Sequence, residues 1–204
     1  MATADTLAPL LAPLGLRALG DAQDGDSTIT LIGPDEPAFW PIFTDSPEYK
    51  DGAPHPMDRW SKRVLTDVAE TLGAEPLFPF GGPPYAPFYS WAVATGRFWP
   101  SPIGFLVHED GGLFASFRGA IRWDKPAEGG TAPKPCSSCD APCKSACPVG
   151  AFDTGYDVVA CKTHVASPAG ADCRRGGCLA RRACPVGAGR RLPAQSAFHM
   201  DAFL

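Results

Sequence analysis

The clearest periodicity in the chain runs over residues 56–72. Met57, Trp60, Val64, Val68 and Leu72 recur at spacings of three and four, and Asp58, Arg59, Lys62, Arg63, Asp67 and Glu70 fall mainly between them. This pattern predicts an amphipathic helix with one face on a core, and Gly73 is placed to end it as the residue after the cap. Residues 5–12 predict a short first helix, ended by Pro13 and Gly15. The β-branched run 28–32 (TITLI) lies between a polar stretch at 21–26 and Gly33-Pro34, and predicts a buried strand. Residues 34–56 carry six prolines among Phe39, Trp40, Phe43 and Tyr49. That composition predicts loops around one broken helical turn, packed by aromatic rings.

Residues 79–87 (PFGGPPYAP) predict a rigid, glycine-broken loop of the kind that can carry ligand contacts, and residues 91–98 predict a short helix. Two apolar runs, 103–108 and 113–123, are separated by Glu109-Asp110-Gly111-Gly112, which predicts a β-hairpin. On its second strand Phe114, Ser116, Arg118 and Ala120 would share one face, opposite Leu113, Ala115, Phe117, Gly119 and Ile121. Arg118 is then either an ion-paired or solvent-facing side chain, as most arginines are, or an anion or cofactor contact. Tyr85, His108 and Arg118 are the candidate cofactor contacts of this part of the chain. The expected class is α+β, with an α/β module first.

Composition divides the chain. Residues 1–123 contain no cysteine, with 8 Lys and Arg against 15 Asp and Glu; residues 124–204 hold all 8 cysteines, with 10 Lys and Arg against 7 Asp and Glu. The stretch 124–135 (DKPAEGGTAPKP) has the composition of a linker. The expected organisation is therefore a module at 1–123, a linker at 124–135 and a cysteine domain at 136–204. With no basic segment leading into an apolar core at the N-terminus and no long apolar run, the expected location is cytoplasmic, with no membrane partner. Thiols stay reduced there, so clustered cysteines suggest metal.

The cysteines read Cys136-x2-Cys139-x3-Cys143-x3-Cys147-Pro148, then Cys161, then Cys173-x4-Cys178-x5-Cys184-Pro185. The string ACPVGA occurs at 146–151 and again at 183–188. A short cysteine run closed by Cys-Pro and repeated once marks the two-cluster bacterial ferredoxins, in which the fourth cysteine of each run ligates the other cluster. That rule assigns Cys136, Cys139, Cys143 and Cys184 to one [4Fe–4S] cluster, and Cys147, Cys161, Cys173 and Cys178 to the second. Zinc and disulfides are the competing readings, although only Cys136 and Cys139 form the Cys-x2-Cys knuckle usual for zinc. Three spacings depart from the ferredoxin pattern: three residues separate Cys139 from Cys143, and the second run is looser still, at four and five.

Arg174, Arg175, Arg181, Arg182, Arg190 and Arg191 surround the second run. They could offset cluster charge, form a docking face for an acidic redox partner protein, bind nucleic acid, or be a solvated charge run. The net charge of −4 argues against nucleic acid. The apolar tail 195–204 suits a helix that folds back on the first module, with His199 as a surface or cofactor-facing residue.

The cysteine stretch resembles that of the epoxyqueuosine reductase and reductive dehalogenase group, in which a nitroreductase-like cobalamin-binding domain precedes a two-cluster ferredoxin domain. The run ending in Cys147-Pro148-Val149-Gly150-Ala151, the lone Cys161 and the run ending in Cys184-Pro185 carry the resemblance. Trp91-Ala92, Gly96 and residues 104–121 are similar to the segment where that family builds part of its corrinoid pocket. The resemblance implies two [4Fe–4S] clusters and a one-electron carrier, or alternatively a small reductase using cobalamin or flavin near residues 79–89 and 103–121. The chain is also similar to short bacterial proteins of the ferredoxin type.

Overall fold

The computed structural model describes residues 3–127 and 130–204. Among these the strands are β1 (Leu16–Asp24), β2 (Ser27–Pro34), β3 (Glu75–Leu77), β4 (Phe98–Pro100), β5 (Leu106–His108) and β6 (Gly119–Trp123). The α-helices are α1 (Thr3–Leu11), α2 (Phe39–Asp45), α3 (Pro47–Lys50), α4 (Pro56–Leu72), α5 (Phe88–Ala94), α6 (Val158–Ala166), α7 (Ala171–Gly176), α8 (Leu179–Arg182) and α9 (Pro193–Phe203). The class is α+β. No helix among the described residues is long and apolar enough to cross a membrane. The chain forms two compact units, one from residues up to Phe98 with Ser116–Ala132, the other from Trp99–Ala115 with Pro133–Leu204.

The first unit is built on an antiparallel sheet of order β1-β2-β6-β3. The expected strand at 28–32 is its central β2, buried along almost its whole length. Its threonines are satisfied inside: Thr30 donates to Asp21 at 2.6 Å and accepts from the Trp123 indole at 2.9 Å. The periodic helix is α4, which buries Met57, Trp60, Val64, Leu65 and Val68. Full burial of each such side chain contributes about 1.5–3 kcal/mol. Gly73 ends it at φ 61°, with its N–H on the last carbonyls, as the sequence predicts. The proline-rich stretch forms α2 and α3, and Phe39 and Phe43 pack with Trp60 at centroid distances of 5.5 and 5.8 Å. Glu48 of α3 is held by Arg63 of α4, whose Nη2 lies 3.0 Å from Oε2.

The second unit departs from the expected boundary. Trp99–Ala115 belongs to the same unit as the cysteines. Ile103, Val107 and Leu113 form one apolar cluster with Cys143 and Ala180, and Trp99, Phe105 and Phe152 pack against it. The expected hairpin over 103–121 is not formed as such. His108 and Gly112 close a tight turn through two N–H···O bonds of 3.1 Å, but β5 pairs with β4, while β6 joins the sheet of the first unit. Leu113, 2% exposed, is drawn into the second core, so the returning strand has no run left to pair with β5. The described part of the expected linker up to Ala132 is tied to the first unit. Thr28 donates to the Lys125 carbonyl at 2.7 Å, Gln23 accepts from Ala127 N–H at 2.8 Å, and Ala132 N–H reaches the Gly96 carbonyl at 3.0 Å. Residues 128–129 of that linker lie outside the described residues. The apolar tail is α9, and it packs within the second unit against α7, with Asp201 paired to Arg174 at 2.8 Å.

Candidate metal centres

Local backbone geometry aims the cysteines. The three residues between Cys139 and Cys143 are accommodated by Ala141, which takes φ 54° and turns its N–H back to Cys139 Sγ at 3.4 Å. A non-glycine residue there costs about 1–2 kcal/mol, so the wide spacing is absorbed by one strained residue just before Pro142. The two ACPVGA strings share a left-handed glycine: Gly150 and Gly187 take φ 61° and 68°. In the first, Ala151 N–H points at Cys147 Sγ at 3.3 Å. In the second cysteine run, Cys173 lies on α7, Gly177 at φ 88° breaks the helix, and Cys178 starts α8. The five residues before Cys184 contain α8, which carries Cys184 away from Cys178.

The eight cysteines divide into two sets. Cys136, Cys139, Cys143 and Cys184 line one cavity whose other walls include Pro102, Val107 and Leu113. Cys147, Cys161, Cys173 and Cys178 line a second, closed by Phe152, Val165 and Met200 among others. These are the same two sets of four that the interlocked spacing defines. None of the eight is disulfide-bonded. Burial pushes the thiols of Cys136, Cys143, Cys173 and Cys178 up from their ordinary range, which favours the neutral thiol. Among the described residues no three His, Cys, Asp or Glu side chains converge tightly enough to hold one metal ion; the four thiols of each set face a shared apolar space.

The segment before the cysteines completes this unit. Gly112, at φ 58°, lies so close to Val186 that a Cβ on it would stand 2.0 Å from the Val186 carbonyl oxygen and 3.4 Å from Cys184 Sγ. A Cβ on Gly187 would stand 2.8 Å from the Gly111 carbonyl oxygen. The turn at 108–112 and the second ACPVGA string are thus packed backbone on backbone. Sequence reasoning missed Ser101, Pro102, Val107 and Leu113 as cavity residues; the glycine pair 111–112 was the one local sign of a close approach. Tyr156 sits beside Cys161, and burial together with its hydrogen bond to that thiol pushes its phenol well up from the ordinary range. Its ring stacks on Phe152 at 5.0 Å.

The three candidate cofactor contacts fall in two units. Tyr85 belongs to the first unit and is 67% exposed. Arg118, in the same unit, is mostly buried and lies 3.6 Å from Asp58. His108 belongs to the second unit, where its buried ring meets Asp110 at 2.7 Å and braces the turn that packs on Val186. Of the six arginines, Arg174, Arg182 and Arg190 pair with Asp201, Asp172 and Asp110. Arg181 and Arg191 instead flank the ring of Phe114, at 4.8 and 5.1 Å, and donate to the carbonyls of Leu113 (2.6 Å) and Phe114 (2.7 Å). With Arg182, Cys184 and Val186 they line a cleft of about 290 Å3.

The models of known families, the curated proteins and the solved structures give no match to this chain.

Proposed function

We propose that the chain is a one-electron carrier holding two [4Fe–4S] clusters, one on Cys136, Cys139, Cys143 and Cys184, the other on Cys147, Cys161, Cys173 and Cys178. The observation that carries this reading is the division of all eight cysteines into two sets of four, each around its own apolar cavity. Four thiols around a shared space suit a polynuclear cluster better than a single zinc ion, which draws its four sulfurs to about 2.3 Å from one point. A bound [4Fe–4S] cluster supplies reversible single-electron transfer. The protein's part is to hold the thiolates, to keep water away with Val107, Leu113, Phe152 and Val165, and to turn amide N–H groups toward the sulfurs, as Ala141 and Ala151 do.

The arginine-lined cleft reaches Cys184, so an acidic redox partner docked there would meet the first site by way of one of its own ligands. Such a face speeds encounter more than it adds affinity. The second reading, a corrinoid- or flavin-dependent reductase, rests on the resemblance and on Tyr85, the exposed member of its three candidates.

Anaerobic reconstitution of the full chain with iron and sulfide tests the carrier reading. Cys143→Ala and Cys173→Ala should each lose about half of the bound iron, with the remaining centre keeping its own reduced-state EPR signal. Iron content equal to the parent's in both variants would overturn the ligand assignment.

A further inference from the structure

Ser101 lies in the turn between β4 and β5, on the wall of the cavity lined by Cys136, Cys139, Cys143 and Cys184. Its backbone is satisfied: the N–H donates to the Phe105 carbonyl at 2.9 Å, and its own carbonyl accepts from Gly104 at 3.0 Å. Its hydroxyl is not. Oγ is buried and meets no hydrogen-bond partner, the cysteine sulfurs included. Buried hydroxyls are nearly always paired, and an exception calls for an explanation. The other side chains on that wall are apolar apart from the four cysteines. The hydroxyl therefore has no acceptor in reach until the thiols hold something that presents one.

We propose that Ser101 is a positioning residue for the first site, whose O–H donates to a sulfur of the cluster held by Cys136, Cys139, Cys143 and Cys184. This inference rests on the carrier reading given above. Hydrogen bonds to the sulfurs stabilise the more negative, reduced state and so raise the reduction potential. The second cavity has no serine or threonine on its wall, and its own hydroxyl donor is Tyr156 beside Cys161, so Ser101 acts on the first centre alone.

The test is EPR-monitored redox titration of the iron-loaded full chain and three variants. Ser101→Ala should lower the midpoint of one centre only, with about a tenfold fall in its reduced-to-oxidised ratio at fixed potential, which is 59 mV for a one-electron couple. Ser101→Thr and Ser101→Val have the same shape and differ in the hydroxyl; Thr should titrate with the parent and Val with Ala. Pulsed EPR in D2O should show an exchangeable proton coupled to that centre in the parent and in Thr, and none in Ala or Val. Unchanged midpoints in Ser101→Ala, or Thr behaving as Val, would overturn the role of Ser101 while leaving the carrier reading standing. A parent chain that forms no iron–sulfur centre would overturn the carrier reading itself, and the role of Ser101 with it.

Discussion

Gly112→Ala is the sharpest probe of how the segment before the linker supports the cysteines. The added methyl would stand 2.0 Å from Val186 O and 2.8 Å from Val186 C. A real Cβ essentially never comes within 3.0 Å of another heavy atom, so the turn at 108–112 and the string at 183–188 must separate. Two costs add. Holding a non-glycine residue at φ 58° takes about 1–2 kcal/mol, and overpacking a tight contact takes about 1–3 kcal/mol more. Gly104 supplies the control. It belongs to the same segment, takes φ 81°, and has nothing within 4 Å of its Cβ position, so Gly104→Ala carries the first cost alone. Urea unfolding of the metal-free chain should therefore place Gly112→Ala about 1–3 kcal/mol below Gly104→Ala. The separation also moves Val186, and with it Cys184 two residues earlier, so reconstituted Gly112→Ala should lose iron from the first site and keep the second. If the two variants unfold alike and take up the same iron, the backbone contact between Gly112 and Val186 does not hold the cysteine unit together.

Two further outcomes follow from the pairs within each unit. Arg63 beside Glu48 lowers the Glu48 pKa from its ordinary value. The pair therefore stabilises the first unit above about pH 4.3, the ordinary glutamate value, and that contribution is lost as pH falls through the lower folded-state pKa. Glu48→Gln should reduce stability at pH 7 by about 1.5 kcal/mol, the order of a hydrogen bond to a charged group, and the difference from the parent should shrink in acid; a gap that stays constant from pH 7 down to pH 2 would contradict the pairing. Arg181→Lys should destabilise the second unit by about 1–2 kcal/mol, because an ammonium cannot both lie flat on Phe114 and donate to the Leu113 carbonyl; a lysine variant with unchanged thermal unfolding would remove Arg181 from the support of this unit.

What could be read from the sequence divides along physical lines. The helix α4 was legible in full, including its end, because its apolar spacing and Gly73 agree with one another. The central strand β2 was legible because β-branched residues fill it. Its neighbour β1 was not: residues 21–26 are polar, and Asp21 reads as loop until Thr30 of the adjacent strand is there to donate to it. The hairpin over 103–121 failed for a similar reason. Its turn forms at 108–112, yet the choice of strand partners was made by burial of Leu113 and by the close approach of Val186, contacts that span about seventy residues of sequence and leave no periodic trace.

The cysteine sets were legible because the repeated Cys-Pro ending resembles a known pattern. In the two-cluster ferredoxins that the pattern resembles, the cysteine before the proline of each run belongs to the other site, and that rule, placed on Cys147 and Cys184, gives the same grouping as the two cavities. The walls of the cavities do not follow from it. Ser101, Pro102, Val107 and Leu113 reach the first site from a segment that composition assigns to the other module, since it contains no cysteine and precedes the proline- and glycine-rich linker. Composition marks where the chain is flexible in sequence terms; contact decides which unit a segment joins. Here the deciding contact is between glycines 112 and 187 and the backbone opposite them, where any side chain would keep the two segments apart. The second unit is therefore a cysteine module completed by an upstream arm, and that arm supplies both apolar cover for the first site and its one unsatisfied hydroxyl.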